Sequence, residues 1–125
     1  MLLLETELPY GPAAAAAARR SVSSLRDALS QRVVQDLVLL VSELVTNSYR
    51  HAGLGAGDNI LLRVTQEAET LHIEVVDPGT KRRPAIRQNA AEGGWGLQIV
   101  DQLADRWGTE TGPSGTTVWF ELDSV

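Results

Sequence analysis

Apolar and polar side chains alternate along several stretches of the chain, and such alternation predicts β-strands. The clearest stretches are residues 60–65, 71–76 and 116–122, with a looser alternation over residues 2–8. A connection of four residues, 67–70, separates the first two stretches. A connection this short predicts that they pair as an antiparallel hairpin.

Two helices are predicted in the first half of the chain. Six consecutive alanines begin at Ala13, and we expect the helix that they open to continue to about Ser30. A second helix is predicted from about Gln31 to Ala52, because its apolar side chains recur on one broad arc at helical spacing. Gly53 follows it as the expected C-cap residue.

The pattern of apolar and polar residues in the second half of the chain predicts a polar loop and a third helix. Residues 80–92 contain few large apolar side chains and no clear period, which is typical of a loop. The helix is predicted to start near residues 94–96 and to carry Leu97, Val100, Leu103 and Trp107 at helical spacing. The order β-α-α-β-β-loop-α-(β)-β predicts an α+β two-layer sandwich with helices on one face of a mixed, mainly antiparallel sheet.

Composition narrows the possible classes of protein. With 125 residues, 43% of them hydrophobic, the chain is expected to form a single globular domain over residues 1–125. It has no cysteine, which excludes disulfides, cysteine-ligated metals and cysteine nucleophiles. The net charge of −5 argues against nucleic acid as a partner. No apolar block is long enough for a membrane span, so we expect a soluble, cytoplasmic protein with no membrane partner.

The second helix carries a polar pair at an unusual position. Glu43 and Asn47 are four residues apart and are therefore neighbours on the helix surface, at the margin of the apolar arc beside Leu40 and Leu44. A carboxylate there can take a proton, and an amide oxygen can bind a hard cation. The alternative is an ordinary solvated pair at the edge of a packed helix.

Asp77 ends an apolar strand and is followed by Pro78 and Gly79. These residue types are common in turns, so a turn without further function is one interpretation. The other is a carboxylate at the floor of a pocket that accepts a hydrogen bond from a planar amine, while Gly79 lets the ligand lie against the backbone.

Glycines also mark the start of the third helix. The stretch Gly93-Gly94-Trp95-Gly96-Leu97 can offer backbone N–H groups to an anion, or it can be a simple loop-to-helix junction. A P-loop is excluded, because the only lysine, Lys81, lies in Thr-Lys-Arg. A dinucleotide fingerprint is excluded as well, because the third glycine is missing and a polar loop precedes the motif.

Four motifs occur together in one order: Glu-x-x-x-Asn on a helix, Asp-x-Gly after a strand, Gly-x-Gly-Leu opening a helix and Gly-Thr-x-Val opening a strand. Together they resemble the GHKL (Bergerat-fold) ATPase superfamily. Within it the chain is similar to the small serine-protein kinase and anti-sigma factor family of bacterial regulators. The most telling matches are residues 42–52, SELVTNSYRHA, and residues 93–100, GGWGLQIV.

The resemblance implies a role for each matching residue on the nucleotide. Glu43 would be the general base and Asn47 would ligate Mg²⁺ between the phosphates of ATP. Asp77 would receive the adenine amino group, Gly79 would border the base, and Thr116 would support it from the last strand.

The resemblance also implies how the phosphates are held. Gly94, Gly96 and Leu97 would give main-chain donors to them, and residues 80–92 would form a lid over the nucleotide. The first glycine motif of the family often reads Asp-x-Gly-x-Gly, but position 81 is lysine here. Four basic lid residues either neutralise phosphate charge or form a solvated run: Lys81, Arg82, Arg83 and Arg87.

Members of this family use ATP to phosphorylate a serine on a small antagonist protein, and the same surface holds a sigma factor inactive. The expected partners are therefore a sigma factor and an anti-sigma-antagonist protein, with a homodimer possible. The alternative is a nucleotide-binding partner-switch module that has lost phosphoryl transfer.

Overall fold

The computed structural model of the chain describes residues 1–9, 11–51, 59–77, 95–113 and 115–123, with the backbone alone at 47–51 and 95–97. A 3₁₀ turn, Ser24–Asp27, lies among eight longer elements. In chain order these are β1 (Leu2–Pro9), α1 (Ala14–Ser23), α2 (Gln31–His51), β2 (Asn59–Glu67), β3 (Thr70–Asp77), α3 (Trp95–Leu103), β4 (Arg106–Gly112) and β5 (Gly115–Asp123).

The five strands form one sheet in the order β1-β2-β3-β5-β4. Each neighbouring pair in this sheet is antiparallel, including the predicted β2–β3 hairpin, in which Glu67 lies opposite Thr70. The predicted α+β class is thus confirmed, and no parallel pair occurs among the described strands. The sheet places the end of β3 beside the start of β5.

The helices and one face of the sheet enclose the hydrophobic core. Helix α2 contacts α1, α3 and β3, and α1 also contacts β1. Alternate side chains of the central strands are buried, as the period of two requires. Core residues of α2 and the central strands include Leu37, Leu40, Val41, Leu44, Val45, Ile60, Leu62, Ile73, Val75 and Phe120.

The prediction of one helix from Ala13 to Ser30 was wrong in its second half. Helix α1 ends at Ser23 and continues as the 3₁₀ turn. The hydroxyl of Ser24 donates to the carbonyl oxygen of Ser21 at 2.6 Å. Serine hydroxyls that bind nearby carbonyl groups compete with regular helical bonding, which accounts for the early end.

The placement of Trp107 on the third helix was also wrong. Helix α3 ends at Leu103, and Trp107 lies in β4 opposite Phe120. Its indole packs against the core, and its Nε1 donates to Oδ1 of Asp101 at 2.8 Å. The spacing from Leu103 to Trp107 matches a helix by coincidence, because the core-facing position of the next strand falls there.

The sheet face turned away from the helices carries ion pairs. Arg106 of β4 binds the carboxylates of Glu121 and Asp123 on β5, with 2.7 Å between its Nε and Oε1 of Glu121. His72 of β3 lies 2.9 Å from the other oxygen of Glu121. The hydrogen bonds from Arg106 lower the pKa of both carboxyl groups. These contacts join three strands on their exposed face.

Candidate functional site

Two polar side chains interrupt the buried face of the sheet. Asp77 is 3% exposed and Thr116 is 0% exposed, and the other buried side chains of the described residues are apolar. The preceding core positions of β3 are Leu71, Ile73 and Val75, so the apolar pattern changes to a carboxylate at the last residue of the strand. Aspartate side chains are seldom buried in protein interiors, which makes this end of the sheet a candidate binding site.

Strand pairing brings these two residues together. Asp77 and Thr116 are direct partners in the antiparallel register of β3 and β5. Side chains at such positions have their Cβ atoms about 4.5–5.5 Å apart. On the other side of Thr116, its hydroxyl lies 3.4 Å from the hydroxyl of Thr111 on β4. We call the group Asp77, Thr116 and Thr111 the polar end of the sheet.

Glu43 of α2 is half-buried beside Leu40 and Leu44, which are both buried in the core. Its position at the margin of the packed face agrees with the sequence prediction. Within the described residues, the Glu43 side chain has no hydrogen bond or ion pair.

The remaining predicted residues are only partly described. The backbone of Asn47 lies in α2 one turn after Glu43, and the backbones of Gly96 and Leu97 lie in the first turn of α3. Helix α3 contacts α2, so the two helices that carry these residues are neighbours in the fold. Their side chains fall outside the described part of the chain, so their predicted contacts stay predictions.

Other predictions fall on residues that the structure does not describe. These are the two glycines Gly79 and Gly94, the predicted lid over residues 80–92, and its basic residues Lys81, Arg82, Arg83 and Arg87.

A magnesium site also remains a prediction. Across the described ranges, no group of three or more histidine or carboxylate side chains could hold a metal ion. The predicted ligand Asn47 supplies an amide oxygen, and its side chain is not among the described ones.

Two contacts were not predicted from the sequence. The bond from Trp107 to Asp101 ties α3 to β4, and Thr111 extends the polar end of the sheet. Both depend on the register of β4 with β5, which the sequence does not indicate because β4 shows no regular apolar alternation.

None of the helices in the described part of the chain is long and apolar enough to cross a membrane.

Comparisons with known proteins extend this picture. The family model of the histidine kinase-like ATPase domain matches residues 8–122. No curated protein matches the chain. Among solved structures, the histidine kinase domain from the Erythrobacter litoralis EL346 blue-light activated histidine kinase is similar over 93% of this chain and 61% of that one, at 21% identity and a TM-score of 0.57.

A second structure, described as the Erythrobacter litoralis EL346 blue-light activated histidine kinase, is 21% identical with a TM-score of 0.62. The similarity covers 93% of this chain and 42% of that one. At 21% identity, the similarity to these two structures shows the fold alone. Because the family model covers nearly the whole chain, the chain belongs to the histidine kinase-like ATPase domain family, within the GHKL superfamily.

Proposed function

We propose that the chain binds ATP at the polar end of the sheet and transfers its γ-phosphoryl group to a serine of a small antagonist protein. The observation that carries the nucleotide site is the buried carboxylate of Asp77, opposite the buried hydroxyl of Thr116. Membership of an ATPase domain family supports the same assignment.

A carboxylate at this position would give the site a preference for adenine. The exocyclic amino group of adenine donates a hydrogen bond, which a buried carboxylate accepts strongly because one partner is charged. Guanine has a carbonyl oxygen at the same ring position, which would face the carboxylate as a second acceptor. The Thr116 hydroxyl can donate or accept, and so supports the base or a bridging water.

Glu43 is the candidate general base. In the transfer step the serine hydroxyl oxygen forms a bond to the γ-phosphorus, the bond from that phosphorus to the ADP oxygen breaks, and the hydroxyl proton moves to Glu43. Its half-buried carboxylate, without a hydrogen-bonding partner in the described structure, suits that role. Asn47, one turn further along α2, would hold Mg²⁺, which neutralises phosphate charge when bound.

The anti-sigma assignment is part of the proposal and rests on the motif resemblance. It implies a sigma factor and its antagonist as partners in the bacterial cytoplasm, and allows a homodimer. The chain spans less than two thirds of each of the two histidine kinase structures described above, so their activity is not carried over. The alternative proposal is a nucleotide-binding module of the same type without phosphoryl transfer.

The test is a single-turnover assay with γ-labelled ATP, Mg²⁺ and the candidate antagonist proteins encoded nearby. We expect Glu43→Gln to slow transfer by roughly 10²–10⁴-fold, the usual contribution of a general base. ATP affinity should change by less than about twofold, because the base acts on the hydroxyl rather than on the nucleotide. Glu69→Gln, which changes an exposed glutamate in the β2–β3 turn, is the matched control.

Two outcomes would alter the proposal. A Glu43→Gln variant that transfers at the wild-type rate removes Glu43 from the reaction. Wild-type protein that binds ATP yet labels none of the candidate proteins favours the module without transfer.

A further inference from the structure

The exposed side of α1 forms an open groove of about 570 Å³. Five residues line it: Ala16, Arg19, Arg20, Ser23 and Arg26. The first four follow the i, i+3, i+4 and i+7 spacing of one helix face, and Arg26 continues it on the 3₁₀ turn. We call this set the arginine groove. None of its residues belongs to the polar end of the sheet or to α2.

Among the described residues, the three guanidinium groups of the groove have no carboxylate partner. Arg19 and Arg20 make no side-chain hydrogen bond or ion pair with described residues, and Arg26 donates only to the backbone oxygen of Ser23, at 3.1 Å. By contrast, Arg63 and Arg106 each bind two carboxylates on the sheet.

This positive surface is unusual for an acidic chain. The protein has 16 acidic residues against 11 basic ones, yet no acidic residue occurs between Glu7 and Asp27. The groove residues span 11 positions, or about 15 Å of helix at 1.5 Å per residue. That length accommodates two to three turns of another helix. Ala16 has a short side chain, which lets a partner backbone approach closely.

The groove chemistry fits carboxylates arranged on a helix. Arginine binds a carboxylate through two parallel hydrogen bonds, and glutamates spaced three to four residues apart would meet guanidinium groups spaced in the same way. A long nucleic acid is a poorer fit, because three arginines neutralise few phosphates while the net charge of −5 repels the rest of the polymer.

We propose that the arginine groove is a docking surface for an acidic helical segment of a partner protein. The proposal does not depend on nucleotide binding, since the groove and the polar end of the sheet share no residue. It adds the chemistry of the partner surface to the function proposed above.

The test measures binding of a fluorescein-labelled, alanine-rich helical peptide with glutamates at positions i, i+3 and i+7. A peptide with glutamine at those positions and a single-stranded DNA of 14 nucleotides are the comparison probes. We expect the glutamate peptide to bind at least about tenfold more tightly than the glutamine peptide at low salt, and less tightly as salt rises.

Arg19→Glu/Arg20→Glu should weaken binding of the glutamate peptide by about tenfold or more, because attraction becomes repulsion. The matched control is Arg32→Glu, which reverses an exposed charge outside the groove and should leave the affinity within about twofold. Circular dichroism establishes that the variants keep their fold, and the ATP affinity of the double variant should equal that of wild type.

Several results would overturn the proposal. These are equal binding of the two peptides, no binding of either, and an equal loss in Arg32→Glu. Tighter binding of the DNA, lost in the double variant, would assign the groove to nucleic acid instead. A wild-type dimer that the double variant converts to a monomer would assign it to a second copy of the chain.

Discussion

At the scale of single residues, the candidate site arises where the apolar alternation of two strands is broken at the same level. Asp77 and Thr116 occupy core-facing positions, yet each carries a polar group into the interior. Neither residue is informative alone, since aspartate before Pro-Gly is common in turns and threonine is common in strands. Their pairing across β3 and β5 makes them one polar group at the end of the sheet, which is why they form a candidate site.

Gly108 is a position where the packing around the backbone requires a glycine. A Cβ atom built there would lie 2.9 Å from three atoms of the Trp119 ring. That ring in turn stacks on His72, with 5.5 Å between the ring centroids. We expect Gly108→Ala to lower the free energy of unfolding by about 1–3 kcal/mol, the usual cost of overpacking.

The matched control for Gly108 is Gly112→Ala, where no atom lies within 4 Å of the added Cβ. Its effect on the free energy of unfolding should stay within about 0.5 kcal/mol. In a Trp119→Ala background the cost of Gly108→Ala should disappear. Urea denaturation measures all of these variants, and equal destabilisation by the two glycine substitutions would contradict the packing argument.

At the scale of elements, the bonds of Arg106 join β4 to β5 on the exposed face of the sheet, and the contact of His72 with Glu121 joins β3 to β5. Its hydrogen bonds lower the pKa of Glu121, whose ordinary value is 4.5, and that of Asp123, whose ordinary value is 3.8. A lowered carboxyl pKa in the folded state means that ionisation favours folding. The resulting stability is present above the pKa values of the unfolded chain and is lost as the pH falls through the lowered values.

Replacing Arg106 should therefore change the acid dependence of stability. We expect Arg106→Met to reduce the free energy of unfolding at pH 7, and the difference from wild type to shrink progressively below about pH 4.5. Arg32→Met removes an exposed arginine without these partners and should show no such convergence. Urea titrations between pH 7 and pH 3 measure this, and a difference that is independent of pH would refute the assignment.

Elements with a single strong pattern could be predicted from the sequence, whereas the bounds of elements that depend on tertiary pairing could not. The alternation of β2, β3 and β5 and the apolar arc of α2 are local, so their existence and order are confirmed. Strand β4 lacks apolar alternation, and its bounds depend on its pairing with β5. For this reason Trp107, which lies in β4, was assigned to a helix. The high helix propensity of alanine led to the prediction of a first helix that is too long. Its end is determined by the hydrogen bond of the Ser24 hydroxyl and not by propensity.

At the scale of the whole molecule, the fold places two surfaces of different chemistry on different elements. The polar end of the sheet lies at the junction of β3 and β5, and the arginine groove lies on α1. A nucleotide and a protein partner could therefore bind at the same time without sharing a residue. The motif order predicted the family, while the pairing of Asp77 with Thr116 and the arginine groove needed the structure.

The central claim is that Asp77 recognises adenine, and calorimetric titration of ATP and GTP tests it most directly. Wild-type protein should bind one ATP, and GTP at least about tenfold more weakly, because guanine offers an acceptor to a carboxylate. Asp77→Asn should weaken ATP binding by about 1–3 kcal/mol, while the exposed-site control Asp27→Asn should not. A folded Asp77→Asn variant that binds ATP as wild type does, or wild-type protein that binds GTP equally well, would contradict the account.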